Sequence, residues 1–300
     1  MSELGDLHIF AKVVALRSMS EAARSLGIAP AVVSKSIKRL EESLGVRLLQ
    51  RTTRRITVTE LGQDYYKRIA NALNDLEEAT LLVSGQADEA SGLLRVSAPT
   101  SFGRMHIAPH LGTFMQSHPR LNVELNLSDD IVDVIADGYD IAVRITEPRD
   151  SSLIGRKLAR VRRVLCASRE YVAKYGYPQT IDDLKTHRCL QAHGGGPWHL
   201  EGPEGPLTIR PESALLTNSS EVVREATISG LGIALRSTWD VGEELHIGKL
   251  VRVLPSYEGS RNIWISAVFA SRQHVPMKIR AFVEYLVALY GPRAPWDRMM

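Results

Sequence analysis

Ser34, Lys35, Lys38 and Arg39 recur at a spacing that a helix gathers on one face, and all four donate hydrogen bonds. Phosphate oxygens and the edges of base pairs accept such bonds, and the nearest carboxylates, Glu41 and Glu42, come only near the far end of the segment. Further on, Arg51, Arg54 and Arg55 flank a Thr-Thr pair that reads as the tip of a hairpin. That tip is either a solvated turn or a phosphate or minor-groove contact, and its nearness to the donor face favours DNA. Arg144 ends the apolar run Ile141–Ile145. A guanidinium there clasps a ligand carboxylate through paired hydrogen bonds, or else forms an internal ion pair with Asp129 or Asp140.

Other groups carry weaker signals. His106 and His110 are four apart, the spacing that presents two imidazoles to a metal, but Pro109 intervenes and no cysteine stands near, so packing is the expected role. The run His193-Gly194-Gly195-Gly196-Pro197 lacks the Lys-Ser/Thr that completes a phosphate loop and reads as a surface turn. No Gly-x-Ser-x-Gly elbow surrounds Ser219 or Ser220, which leaves Ser219 as a helix cap or a ligand donor. Cys166 and Cys189, the only cysteines, sit in apolar runs as small hydrophobes. The expectation is no enzyme, no metal and no cofactor.

These groups need elements to hold them. Ser20 to Leu26 reads as a short helix stopped by Gly27, with Ala22 and Ala23 small enough for another helix to cross closely. Pro30 suits the first turn of a second helix, in which Val33, Ile37, Leu40 and Leu44 keep one apolar face. Together they predict a helix-turn-helix. Gly45–Arg51 and Ile56–Val58 then predict a two-stranded wing. Thr59 caps a long helix to about Gln86, where Tyr65, Ile69, Ala72, Leu76, Ala79 and Val83 form a heptad stripe. The stripe serves a second subunit or packs on its own domain. Beyond the polar hinge 88–92, short β-runs at Leu93–Ser97, Val123–Leu127, Ile141–Ile145, Val164–Ala167 and Ile263–Val268 alternate with helices expected to begin near Ser101, Asp129, Ser168 and Ser219. This is an α/β layout. The segment from Gly291 to Pro295 reads as a frayed tail.

Composition separates two functions. The stretch from Arg24 to Thr59 holds eight cationic side chains against two carboxylates, a net +6 that leaves the remainder near −3 within a chain of +3. Concentrated positive charge supplies sequence-independent DNA affinity, and the near-neutral remainder suits a different partner. Three hundred residues exceed what one core organises. The acidic start, the two cysteines and the lack of a long apolar run point to a cytoplasmic protein with no membrane association.

The chain resembles the LysR-type transcriptional regulators. Phe10, Ser18, Ser20, Ala22-Ala23, Leu26, Ala31-Val32-Val33-Ser34, Ile37, Leu40-Glu41, Leu44-Gly45, Leu48, Arg51, Arg54, Thr59 and Gly62 stand at that family's spacing. Leu49–Arg55, Leu93–Pro99, Asp140–Arg144, Asp150–Leu153 and His187–Leu190 are similar to the large subgroup that usually regulates a neighbouring, divergently transcribed operon. The resemblance implies a winged helix-turn-helix over 1–58, a linker and dimerisation helix with hinge over 59–91, and an effector-binding domain over 92–300, like a periplasmic binding protein. Its lobe one takes about 92–163 and 269–300, its lobe two about 164–268. By carry-over, Ser97, Thr100, Ser101, Phe102, Ser128, Asp129, Arg144, Asn218 and Ser219 line the cleft and Gly232 backs it.

At the recognition helix Ala29-Pro30-Ala31 replaces the family's frequent Ser-Gln-Pro, which removes an amide able to bind adenine. Pro30, Ala31 and Val32 then meet thymine methyls, Ser34 and Lys35 read polar edges, and Lys38 or Arg39 holds phosphate, with Ser18, Ser20, Arg51, Arg54 and Arg55 completing the contact. Expected partners are double-stranded DNA with an inverted repeat, a small-molecule effector, RNA polymerase, and copies of the chain in a dimer or tetramer. The rival readings are an architectural DNA-binding protein with a non-sensing C-terminal domain, and an enzyme or solute-binding module with a DNA-binding appendage.

Overall fold

The structure is a computed structural model that describes residues 3–51, 56–83, 89–130, 133–147, 153–192, 195–270, 275–292 and 294–297. It divides into two compact units, Met1–Leu93 with Asp133–Tyr139, and Leu94–Val132 with Asp140–Met300.

The first unit is built from α1 (Glu3–Leu16), α2 (Met19–Leu26), α3 (Pro30–Leu44), the hairpin β1 (Leu49–Arg51) and β2 (Ile56–Val58), and α4 (Glu60–Val83). Ser18 starts α2 by accepting a hydrogen bond from the Glu21 N–H at 3.2 Å. Gly27 ends it at φ +65°, a conformation that costs glycine little, and the next amide, Ile28 N–H, closes on the Ala23 carbonyl at 3.0 Å. The buried Ala22 and Ala23 let α1 and α3 cross α2 closely around Phe10, Val13, Val33, Ile37 and Leu40. Thr59 caps α4 as expected, its Oγ1 accepting from the Gly62 N–H at 2.9 Å. The stripe on α4 is divided. Ile69 lies buried against the core of this same unit beside Tyr66 and Ala70, Tyr65 packs on its edge, and Leu76 is exposed.

The second unit opens with β3 (Gly92–Ala98), the helical run α5 (Thr100–Phe102), a π turn (Gly103–Ile107) and α6 (Ala108–Ser117), then β4 (Leu121–Leu127), β5 (Ile141–Thr146) and β6 (Leu153–Arg160). After a first crossing come β7 (Arg163–Ser168), α7 (Arg169–Tyr175), β8 (Cys189–Ala192), β9 (Trp198–Gly202), β10 (Gly205–Ile209), β11 (Ser213–Thr217), α8 (Ser220–Ile228), β12 (Ala234–Ser237), α9 (Thr238–His246), β13 (Leu250–Arg252) and β14 (Glu258–Gly259). The chain returns through β15 (Trp264–Ala270), α10 (Met277–Tyr290) and a 3-10 turn, Pro295–Asp297. One sheet has the order β4-β3-β5-β15-β6, with β3 and β5 parallel and β15 antiparallel to both neighbours. The other runs β10-β9-β14-β7-β12 with β13 also on β7, and β8 and β11 form a parallel pair beside it.

Three expectations change. Strand β15 belongs to the first sheet, so a limit of 268 for the second lobe cuts through a strand, and the return crossing lies just before Trp264. No helix begins at Asp129: its carboxylate accepts from the Thr100 N–H at 2.9 Å, and 134–138 makes only a turn, with Asp133 accepting from the amides of Ile135 and Ala136. The helices expected near Ser101, Ser168 and Ser219 do form, with the latter two serines as side-chain caps. The segment read as frayed instead leads into the core, because Ala294 and Trp296 are buried, the indole packing on Phe102, His106 and Tyr290.

Candidate functional site

On the first unit, α3 turns Val33, Ser36, Ile37 and Leu40 into the core. Pro30, Ala31, Lys35 and Lys38 are exposed, Val32 and Ser34 partly so, and Ser20 is exposed on α2. Among the described residues Lys38 pairs only with Glu42, at 3.5 Å and exposed to solvent, so its ammonium remains available. Arg39 does not: its Nε and Nη2 each donate to Asp6 of α1 at 2.5 Å, a two-pronged pair that ties the helices together instead of waiting for phosphate. The Arg39 hydrogen bonds, opposed by burial, hold the Asp6 carboxyl below its ordinary value. Arg51 lies in β1, while Arg54 and Arg55 fall outside the described residues. Sequence marks Glu41 as a late carboxylate of the helix and a position of the family pattern without giving it a partner, yet its Oε1 accepts from the Leu48 and Leu49 amides at 2.8 and 3.0 Å and fixes the wing to α3. An acid late in an amphipathic helix looks like solvated surface, and only folding brings those amides to it.

On the second unit, one face of the five-stranded sheet carries a cleft of about 530 Å³. Alternation on β15 explains it: Ile265, Ala267 and Phe269 are buried on one side, and Trp264, Ser266 and Val268 stand on the other. Register then sets Arg144 and Lys157 on either side of Ser266 in one row across β5, β15 and β6. Ser97, Ala142 and Gly155 keep the floor low, and Ser128, Asp129, Asp130 and Glu147 rim it. The Lys157 ammonium lies 4.6 Å from the centroid of the Trp264 ring, a cation–π distance. Two cations, hydroxyls and an aromatic wall can hold a small anionic molecule and fix its orientation. Of the two carboxylates weighed as partners for Arg144, Asp140 turns to Lys278 Nζ and the Arg95 N–H, each at 2.8 Å, whereas Asp129 shares the cleft.

Ser97, Ser128, Asp129 and Arg144 are therefore brought together, and the other expected lining residues are not among the cleft's walls. Phe102 is fully buried and packs edge-on against Trp239 and Trp296 at 5.4 and 5.9 Å, so it is core. Ser101 is buried with no hydrogen-bond partner for its hydroxyl among the described residues, and Thr100 is engaged through its amide by Asp129. Ser219 caps α8, and Asn218 is exposed beside it. Gly232 serves strand packing: a Cβ there would lie 2.3 Å from the Arg188 carbonyl, where Ile233 pairs with β8. Lys157, Trp264 and Ser266 escaped the sequence reading because Ser266 stands more than a hundred residues from Arg144 and meets it only through β15.

The remaining reactive groups are quiet. His106 is neutral by preference, since burial lowers its pKa, and its Nε2–H donates to the Trp239 carbonyl at 2.7 Å. Burial pushes the Cys166 thiol up to about 12 and Cys189 to about 11, which removes the thiolate that redox sensing needs. Among the described residues no three His, Cys, Asp or Glu cluster to hold a metal, and no helix is long and apolar enough to cross a membrane.

Comparison with known proteins matches both parts. Residues 4–63 match the bacterial regulatory helix-turn-helix protein, LysR family, and residues 87–290 match the LysR substrate binding domain. The HTH-type transcriptional regulator DmlR of Escherichia coli K12 is 38% identical over 296 residues, 97% of this chain and 96% of its own. The HTH-type transcriptional activator TtdR of the same strain is 36% identical over 289 residues, 94% and 92% respectively. Among solved structures, CrgA of Neisseria meningitidis has a TM-score of 0.63 at 32% identity, covering 96% of this chain and 99% of that one. The Vibrio cholerae virulence activator AphB has 0.60 at 30%, covering 96% and 99%. With a DNA-reading helix pair in one unit and a ligand-sized cleft in the other, the chain belongs to the LysR family of bacterial transcriptional regulators, DNA-binding proteins controlled by small-molecule effectors rather than enzymes.

Proposed function

We propose that α3 reads operator DNA with Ser34 and Lys35 at polar base edges and Pro30, Ala31 and Val32 at thymine methyls, while Lys38, Ser18, Ser20, Arg51, Arg54 and Arg55 meet the sugar-phosphate backbone. Ser18 keeps this role beside its cap, since an Oγ that accepts still donates its own hydrogen. The effector is a small carboxylate-bearing molecule held in the sheet-face cleft. One observation carries this reading: the row Arg144–Ser266–Lys157, which sets two cations about 10 Å apart at Cα across three strands and places a hydroxyl between them. Residues 1–58 serve DNA, 59–91 pair subunits, and 92–300 sense. A dimer or tetramer, in the cytoplasm, binds an inverted repeat and passes the signal to RNA polymerase; the effector acts through its different affinity for two arrangements of the reading heads.

Footprinting on DNA upstream of the gene, repeated with a panel of carboxylates, tests it. Lys35→Ala should flatten discrimination between operator and random DNA by roughly tenfold, on the order of 1–3 kcal/mol for a lost base contact. Equal weakening on all sequences rejects Lys35 as a base reader. Arg144→Ala should abolish the response to carboxylate while leaving ligand-free footprints intact; a retained response rejects the cleft assignment.

A further inference from the structure

Three helices of the first unit end on a residue in the left-handed conformation. Gly27 closes α2 at φ +65° and Gly45 closes α3 at φ +69°. No atom stands within 4 Å of where either Cβ would be, so backbone conformation alone accounts for glycine at both. Arg17, which follows α1, takes the same conformation at φ +50° while carrying a full side chain. An L residue held there bears a backbone cost that glycine avoids. Among the described residues one other non-glycine does this, Leu254, and its buried side chain packs in the core of the second unit. Burial offsets the cost at Leu254. Arg17 gains nothing of the kind, since it is exposed, and among the described residues no acceptor or carboxylate meets its guanidinium.

We infer that Arg17 is a phosphate anchor that holds one wall of the DNA major groove while α3 lies in it; this rests on the reading of Ser18 and Ser20 as backbone contacts and adds the charge they lack. Arg17 stands immediately before Ser18 at one end of α2, and α3 begins just past the other. The eight residues of α2 rise about 12 Å, close to the width of a B-DNA major groove. A reading helix in the groove and a cation at its phosphate edge therefore fit one docking, in which the first helix of the pair crosses the backbone. A guanidinium suits phosphate oxygens, and a contact of that kind carries affinity without sequence preference. The end of α1 also favours a cation through its dipole, a role that concerns folding and not DNA.

Binding of the full chain to a promoter fragment and to random duplex, titrated with salt from about 50 to about 200 mM, separates the two roles. Arg17→Gly should lower the slope of log affinity against log salt by about 0.9 on both duplexes, so that wild type loses about 3.5-fold more affinity than the variant across that range. Its thermal midpoint should not fall, because glycine takes the left-handed conformation without strain. Arg17→Gln, which keeps a side chain without the charge, should show the same reduced slope, and Arg17→Lys should keep the wild-type one. Lys38→Ala, at a phosphate contact already proposed, should lose a similar amount. The proposal falls if Lys38→Ala lowers the slope and neither Arg17→Gly nor Arg17→Gln does, if those variants weaken binding to the promoter alone, or if Arg17→Lys behaves like Arg17→Gln. A lower midpoint with an unchanged slope also overturns it, by confining Arg17 to the end of α1. A slope that none of these variants changes removes the wider assignment of backbone contacts as well.

Discussion

At the scale of single residues, neighbours decide what a charge does. Lys35, Lys38 and Arg39 look alike along the chain, yet Asp6 of α1 captures only Arg39. Nothing in a helical pattern announces this, because the partner lies thirty-three residues away on another element. The pair also makes stability depend on pH. Asp6 has a folded pKa lowered from 3.8, so its stabilisation is present above the unfolded value and is lost as pH falls through the folded one. Urea unfolding should show Asp6→Asn less stable than wild type at pH 7, and the gap should close in acid. A gap that widens below pH 3.8 would contradict the pairing.

Elements were legible wherever a local cause ends them. Ser18, Gly27, Pro30 and Thr59 mark the limits of α2, α3 and α4 by capping chemistry that acts within three or four residues. Asp129 misled, since a carboxylate after a strand caps a following helix or reaches sideways, and here it serves α5. Contacts between elements are where sequence fell silent. Sequence marks Gly62 as a position of the family pattern, but the reason for glycine shows only in the fold, where a Cβ would lie 2.1 Å from the Leu48 carbonyl oxygen, so α4 and the wing approach as closely as they do through a missing methyl. Gly62→Ala should destabilise the first unit by about 1–3 kcal/mol, the usual cost of forcing backbone apart, despite alanine's better helix propensity. Calorimetry should show the transition of that unit lowered and operator affinity reduced, with the second unit's transition in place. Unchanged unfolding would mean that α4 does not press on the wing.

At the scale of the whole molecule, the effector-binding unit is a chain that crosses between two sheet regions and returns, and its last described turn joins both. Trp296 packs on Phe102, His106 and Tyr290 from the first region, while the Thr238 hydroxyl on α9 donates to Asp297 at 2.9 Å. Across the same junction Arg104 pairs with Glu221 at 2.8 Å, and Trp239 packs on Phe102 and His106. Any rearrangement of the two regions must repack this cluster. Trp296→Ala should cost about 3–5 kcal/mol by removing a buried indole and shift the effector concentration that gives a half-maximal footprint change. Loss of stability without such a shift would confine Trp296 to packing.

The sequence alone determined the helix-turn-helix, the basic wing, the α/β character and the kind of molecule, because these rest on periodicity, caps and charge density that act over a few residues. Tertiary structure alone decided which donors stay available, that β15 returns to the first sheet, and that Lys157 and Ser266 join Arg144 in one row. Those outcomes depend on register between strands far apart in the chain, and a shift of one residue would turn each side chain to the opposite face.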